Sequence, residues 1–476
     1  MLLTKISDYI NCKKIYNLNT KNINFKYISS NSKNIKKNSI FVIDKKNKNN
    51  NYINDAIKKG AVGLLTEKYI KNIKITQFVV NNIDSQFLIL LRVLRPNKPL
   101  NSIAVTGTNG KTSVVCYVSQ ILNFYKKYNK TYGTLGFYIN KKKQQNSSLT
   151  TPEFDVLYQN AFSKKKNNYN FIFEASSHAI KQKRIKNFPI NIAAITNISH
   201  DHLDYHKNFK NYKETKLKLF TKFLNNDGCA ILNDKIIGIN LLKKKLIKNK
   251  IITYGLKNSN INLVIKNKKT EIKFFEKKFI LNINSFSSIE LENISCAIGC
   301  CAALNLRIEK ILKILKKLKQ PPGRLEEVIF KNKKFKIFID YAHTPDALKR
   351  VLINKTINNK KPHIVFGCGG NRDKQKRYKM GSIANLYADK VYITDDNPRD
   401  EKPEIIRKMI LQKCKKGVEI SNRKEAISIS IKNLKKNDIL IIAGKGHEKL
   451  QIKKKSTILF DDLKVAQNEL KKISNE

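Results

Sequence analysis

The sequence predicts an α/β protein built on parallel sheets, and three observations carry that prediction. Short continuous apolar runs alternate with helix-like segments over most of the chain. One such run, at 102–105, leads straight into TGTNGKTS (106–113), and a helix-like segment at 114–124 follows it. Polar clusters recur just after the apolar runs, at the carboxyl ends of strands, where open parallel sheets bind ligands.

The 476 residues suggest two to four domains. A first block, 1–97, has strand candidates at 39–43, 62–66 and 77–80, and a short helix at 54–60 ending on Gly60. Residues 44–51 are all charged or amide-bearing and read as a loop. The connector RPNKP (95–99) is a hinge candidate. A second block, 98–320, has buried-strand candidates at 171–173 and 192–196, then a less regular, lysine-rich stretch at 251–284. Pro321-Pro322 marks the next boundary. The third block, 321–476, alternates strands at 337–339, 364–366, 391–394 and 439–443 with helices at 382–387 and 404–413. It reads as a second doubly wound domain.

The formal charge is +57, from 94 basic and 37 acidic residues. Such a balance suggests nucleic-acid binding, and a nucleic-acid-binding P-loop ATPase is the alternative reading. The excess is spread along the whole chain, however, and comes with abundant Asn, Ile, Tyr and Phe and no Trp. That palette fits a lysine-rich surface, with no specific nucleic acid as partner. No apolar run approaches the roughly 20 residues of a membrane span. The N-terminus, MLLTKISDYINCKK, is too polar for a secretory signal, so a cytoplasmic protein without membrane insertion is expected. Of eight cysteines none forms a CxxC pair; Cys296, Cys300 and Cys301 sit at helical spacing and read as buried apolar residues.

TGTNGKTS has the design of a phosphate cradle. Glycines allow backbone N–H groups close to phosphates, and a helix N-terminus favours their charge. Lys111 can reach the β/γ-phosphates and the Thr112 hydroxyl can ligate Mg²⁺. Val105 stands where the first glycine of the GxxxxGK[ST] template would be. Further clusters are FEASSH (173–178), TNISHDHLDYH (196–206), DYAHTP (340–345), FGCGGNRD (366–373), DDNPR (395–399) and GKGHE (444–448). HDHLDYH alone leaves a solvated turn or a zinc site open, although four of the seven histidines fall between 178 and 206.

Together and in this order, with Gly323-Arg324, these motifs resemble the Mur ligase family from about residue 29 to the C-terminus, and within it the diaminopimelate-adding members. The resemblance implies three domains: an N-terminal UDP-binding α/β domain (1–97), a central P-loop ATPase-like parallel-sheet domain (98–320) and a C-terminal Rossmann-like domain (321–476) that takes the amino acid. It implies a monomer acting on small molecules. ATP would phosphorylate the γ-carboxylate of UDP-N-acetylmuramoyl-L-Ala-D-Glu to an acyl phosphate, and the amine of meso-2,6-diaminopimelate would displace the phosphate. Lysine-adding members are the runner-up.

Residue by residue, the resemblance assigns Gly107, Thr108, Asn109, Gly110, Lys111, Thr112 and Ser113, with Asn293, Arg324 and Asp340, to ATP. Two Mg²⁺ ions are implied, held by Thr112, Glu174, His202 and a carbamate formed from CO₂ on Lys216; Lys111, Glu174, His202 and Lys216 form the catalytic set. Ser30, Ser32, Thr150, Thr151, Ser176, Gln182 and Arg184 would hold the UDP-muramoyl-dipeptide. Arg372, Asp396, Asn397, Pro398, Arg399, Gly444 and Glu448 would form the diaminopimelate pocket, with Arg399 on the distal carboxylate and Glu448 on the distal ammonium. This chain departs from the family pattern with Lys33 for Arg after Ser32, Ile289-Glu290 before Asn293, and Asn371 for Asp before Arg372.

Overall fold

A computed structural model describes residues 1–19, 23–43, 49–165, 168–283, 286–330 and 334–475. The first sheet has five strands: β1 (Cys12–Tyr16), β2 (Tyr27–Ser29), β3 (Ser39–Val42), β4 (Ala61–Thr66) and β5 (Thr76–Val80), in the order β1-β5-β4-β3-β2. Only β1 runs antiparallel, at the edge. The helix expected at 54–60 spans Asn50–Lys58. It begins earlier because Asn49 caps it, accepting from the Asn51 N–H at 2.9 Å, so a polar run supplies the first turn. Residues 44–48 of the expected loop lie outside the described residues.

The second sheet has eleven strands: β6 (Asn101–Thr106), β7 (Asn129–Gly133), β8 (Gly136–Ile139), β9 (Lys142–Gln145), β10 (Asn170–Glu174), β11 (Ile190–Ile195), β12 (Leu224–Asn233), β13 (Lys250–Tyr254), β14 (Ile261–Lys266), β15 (Lys269–Phe274) and β16 (Lys277–Leu281). Its parallel centre is ordered β13-β12-β11-β6-β10-β7. Alternate residues of β6 feed opposite cores: Ile103 and Val105 one, Ala104 the other. Because both faces are covered, these strands read as unbroken apolar runs. The stretch at 251–284, less regular in sequence, supplies β13–β16. There Ile261, Leu263 and Ile272 point inward while lysines occupy the outer positions of an antiparallel edge.

This topology gives the site its place. β6 lies between β10 and β11, with Glu174 level with Val105 and Ile195 level with Thr106. The loops leaving these three strands therefore meet at one edge, a topological switch point.

The third sheet holds β17 (Glu326–Glu327), β18 (Lys336–Asp340), β19 (His363–Phe366), β20 (Val391–Ile393), β21 (Gly417–Glu419) and β22 (Ile439–Ala443), ordered β17-β18-β22-β19-β20-β21. All pairs but β17–β18 are parallel. The adjacent strands β18, β22, β19 and β20 are those followed by DYAHTP, GKGHE, GCGGNRD and DDNPR. The helix expected at 382–387 is Gln375–Tyr387; its first turns bury Lys376 and Arg377, charges that an apolar period does not register. Cys296, Cys300 and Cys301 are fully buried in the helix Ser288–Ala303. No helix among the described residues is long and apolar enough to cross a membrane.

Beside β22, Arg423 and Asp462 are both fully buried and joined by two bonds, Nε to Oδ1 at 2.8 Å and Nη2 to Oδ2 at 2.7 Å. Arg423 also donates to the carbonyl of Ala443, the last residue of β22, at 2.9 Å. Removing one partner strands the other charge in the core. Asp462→Ala should lower unfolding free energy by about 3–5 kcal/mol, measured by denaturant titration; a change within experimental error would contradict this role.

Candidate active site

The loop after β6 is held from β11's side. Thr108 N–H donates to the Asn197 carbonyl at 2.9 Å and Asn109 N–H to Asn197 Oδ1 at 3.0 Å. Thr196 Oγ1 and Asn197 Nδ2 both donate to the Asn109 carbonyl. Glycine is required at two points. A Cβ on Gly107 would strike Thr196 Oγ1, and one on Gly110, which has a left-handed φ of 85°, would strike Asn293 Oδ1. Gly110 precedes the helix Lys111–Phe124 without a side-chain cap, leaving the first-turn N–H groups open to an anion. Ser113 is buried in that turn.

Lys111 Nζ donates to the carbonyls of Gly107 and Thr108 at 2.9 and 2.8 Å, and Lys216 Nζ donates to the same Gly107 carbonyl at 2.8 Å. Burial lowers the Lys111 pKa, and burial together with the Lys111 charge pushes Lys216 well below the ordinary lysine range. Asp201 opposes both effects; although it too is buried, its neighbours His202, Lys376, His343 and Lys111 together hold its own pKa down. Arg324 lies over the Tyr341 ring at 4.4 Å, donates weakly to Thr112 Oγ1 at 3.4 Å, and has a buried Nε without a hydrogen-bond partner. The Lys111 ammonium, an orphaned guanidinium nitrogen and a free helix terminus form a donor set that fits a polyphosphate.

Glu174, 1% exposed, accepts from Thr112 Oγ1 at 3.0 Å and Thr134 N–H at 2.8 Å on Oε1, and from Thr134 Oγ1 at 3.1 Å on Oε2. An oxygen pair of this kind suits Mg²⁺. His202 lies apart from it, with a left-handed φ of 53° and Nε2 at 3.2 Å from Asp201. Its ring packs on His178 (4.8 Å between centroids), which in turn contacts Tyr205 and His206; Tyr212 lies under both His206 and the Lys216 ammonium. The histidine cluster is thus an array of edge-on and tilted ring contacts. Among the described residues no group of three or more His, Cys, Asp or Glu is arranged to hold a metal.

The remaining expected residues fall into three groups. Thr151, Ser176, Gln182 and Arg184 form one network: Thr151 Oγ1 donates to Ser176 Oγ at 3.2 Å, Arg184 Nη1 to the Thr151 carbonyl at 2.8 Å, and Arg184 Nη2 to Gln182 Oε1. Thr150 joins through Thr134 at 3.4 Å. Ser30 and Ser32 follow β2, beside Ser29, whose hydroxyl donates to buried Asp155 at 2.5 Å on the helix Phe154–Ala161. In the third group, Asn397 Nδ2 donates to Glu448 Oε2 at 3.0 Å and Asp396 accepts from Asn397 N–H at 2.7 Å. Gly444 has a φ of 110° and packs on Asp396; Pro398 packs its carbonyl on Gly370. Arg399 bonds the Gly370 carbonyl at 2.9 Å, and Arg372 bonds the Asn371 carbonyl at 2.9 Å. Neither arginine has an ion pair within 4 Å among the described residues; burial, and after it the Arg372 charge, lower the Arg399 pKa, opposed by Asp396 and Glu448.

Asp340 accepts from the Leu325 and Ala342 N–H groups, both at 2.7 Å, and so anchors the chain just after Gly323-Arg324. Glu290 is spent on a capping box with Ser287, which accounts for the departure before Asn293. Sequence reasoning missed Thr134, Tyr212 and Tyr341. Thr134 follows β7 with no motif around it, and its part is visible only from the β7–β10 pairing.

Burial holds four imidazoles neutral, lowering His202 to about 3 and His206, His343 and His447 to about 4. The unfolded chain takes up these protons near pH 6.5, so the stability they contribute is complete above about pH 6.5 and is lost as pH falls toward 4. The melting temperature should drop over that window, less steeply in His206→Gln; parallel curves for the two proteins would contradict this.

Comparison with known proteins agrees with the architecture. Residues 105–301 match the family model for the Mur ligase middle domain, and 323–446 that for the Mur ligase glutamate ligase domain. A Rickettsia bellii protein named UDP-N-acetylmuramoyl-L-alanyl-D-glutamate–2,6-diaminopimelate ligase is 40% identical over 93% of this chain and 95% of its own. A Wigglesworthia glossinidia brevipalpis protein of the same name is 34% identical over 91% and 92%. A solved structure of a ligase of that name superposes with a TM-score of 0.63 at 26% identity, covering 100% of this chain and 99% of that one. The Thermotoga maritima MurF ligase in complex with ADP shares the fold, with a TM-score of 0.67 at 18% identity over 95% of this chain and 100% of its own. With the cradle, the level strand ends and these relatives together, the chain belongs to the Mur ligase family.

Proposed function

We propose that this chain is the ATP-dependent ligase that joins meso-2,6-diaminopimelate to UDP-N-acetylmuramoyl-L-alanyl-D-glutamate in peptidoglycan precursor synthesis, acting in the cytoplasm. One observation supports this substrate over lysine: Arg399 and Arg372 stand together without a carboxylate partner among the described residues, beside the Asn397–Glu448 pair. Diaminopimelate differs from lysine by a distal carboxylate, and a forked guanidinium is its best partner. Glu448 offers an acceptor to the neighbouring ammonium. The names of the relatives point the same way.

Residues 1–97 would take the UDP end, 98–320 the nucleotide and 321–476 the amino acid. The chemical problem is to bring a substrate carboxylate against a triphosphate, two anions that repel. Lys111, the open N-terminus of the helix Lys111–Phe124 and Arg324 concentrate positive charge where they meet. Asn293, against Gly110, closes the cradle. Thr112 and Glu174 would hold Mg²⁺, which neutralises phosphate charge when bound. The network of Thr151, Ser176, Gln182 and Arg184 orients the dipeptide carboxylate.

Lys216 is placed to carry a carbamate. An amine adds CO₂ only when unprotonated, and burial beside Lys111 favours that form. The product would turn a neutral amine beside the Gly107 carbonyl into an anionic oxygen ligand, with His202 and Asp201 nearby. Lys216→Ala should cripple turnover and recover partly with a small added carboxylate; full activity without it removes the assignment.

Phosphate release with UDP-muramoyl-dipeptide, comparing diaminopimelate with lysine, tests the reading. Arg399→Ala should cost about 2–5 kcal/mol in kcat/KM for diaminopimelate and little for lysine. An unchanged preference would refute the role of Arg399.

A further inference from the structure

The loop 395–399, which carries Asp396, Asn397 and Arg399, is not held by its own sheet alone. A two-stranded hairpin, Leu450–Ile452 paired with Thr457–Leu459, lies against it. Gln451, 5% exposed, donates from Nε2 to the Asp396 carbonyl at 2.8 Å and to that of Asp395 at 3.4 Å. Ile452 N–H donates to Asn397 Oδ1 at 3.0 Å, and Arg399 N–H donates to the Ile452 carbonyl at 3.1 Å. These bonds hold Arg399 at a φ of 52°, a conformation a free arginine rarely adopts.

Lys445 completes the arrangement. It is fully buried, yet its ammonium faces no carboxylate closer than Glu448 Oε2 at 3.7 Å. Nζ instead donates to the Leu450 carbonyl at 2.6 Å and to Asn397 Oδ1 at 3.2 Å. With the Asn397 oxygen taken by Lys445 and Ile452, its NH₂ is forced toward Glu448, where it donates at 3.0 Å. The orientation of that amide follows from the bonds around it.

We infer that Lys445 and Gln451 are positioning residues that set amino-acid specificity, clamping Asn397, Arg399 and Glu448 at a spacing suited to a substrate with a carboxylate and an ammonium at its far end. The inference rests on the diaminopimelate reading. Neither residue touches the nucleotide cradle, so the clamp acts on one substrate alone.

The test is steady-state kinetics on Lys445→Met and Gln451→Leu, which keep bulk and remove the donors, with Lys445→Arg as the conservative variant. Each of the first two should raise KM for diaminopimelate about tenfold or more and narrow the preference over lysine. KM for ATP and for the UDP-muramoyl-dipeptide should stay at wild-type values, and Lys445→Arg should keep more of the preference than Lys445→Met. If Lys445→Met does not fold, Gln451→Leu decides alone. An unchanged diaminopimelate KM, or a loss of turnover shared equally by both amino acids, overturns the clamp while leaving the substrate reading intact. A wild-type enzyme that ignores diaminopimelate overturns both.

Discussion

The carbonyl of Gly107 accepts hydrogen bonds from two buried lysines, one from the helix that follows it and one from the helix Phe209–Lys218. Two lysine nitrogens on one oxygen cannot both keep their charge cheaply, and Lys216 is the one driven toward the neutral amine. Most of the middle sheet serves to build it. β6 must sit between β10 and β11 so that Glu174 and Thr196 arrive level with the loop, and residue 107 must be glycine because Thr196 leaves no room for a Cβ. Just past Lys216 the chain takes one π-helical turn, Leu219–Phe223, before entering β12. A wider turn at this point is a common mark of a functional helix end.

The third sheet unit completes the cradle from outside. Asn109 meets Thr344 and Asp346, Arg324 reaches Thr112, and Arg350 pairs with both Asp346 and Glu292. These contacts are mostly 3.1–3.6 Å and partly exposed, so each is weak. Their value is geometric, because they place the arginine turn over the helix N-terminus. Asp201 has neighbours from both sides, His202 and Lys111 of the middle unit and Lys376 and His343 of the third, and together they lower its pKa.

Much of this was legible in sequence where one residue type does one job. The loop was visible as a glycine turn between strand and helix, whereas Glu174 and Arg399 stood out only through the order of motifs that resembles the family. What stayed hidden depends on a partner far along the chain. Thr134 matters only because β7 pairs with β10, and Gln451 only because its hairpin folds back onto residues 395–399. The backbone partners of Asp340 were hidden in the same way: its oxygens accept from the N–H groups of Ala342 and of Leu325, fifteen residues back in the chain. Lys376 and Arg377 broke an apolar period and shortened the predicted helix, although both are buried.

The charge of +57 shows why residue type alone misleads in this chain. Exposed lysines cost little and are free to accumulate, since an ammonium in water is solvated wherever it points. Buried cations obey stricter rules. Where a fork is needed the chain uses arginine: Arg423 on Asp462, Arg377 on Glu401, Arg407 on Asp395 and Glu419, and Arg184 between Thr151 and Gln182. Where a point charge suffices it uses lysine, at 111, 216 and 445, each aimed at a carbonyl. Composition reports the first population and is silent about the second. The function resides in the second, because only a desolvated cation interacts strongly enough with a substrate anion to offset the cost of bringing two anions together.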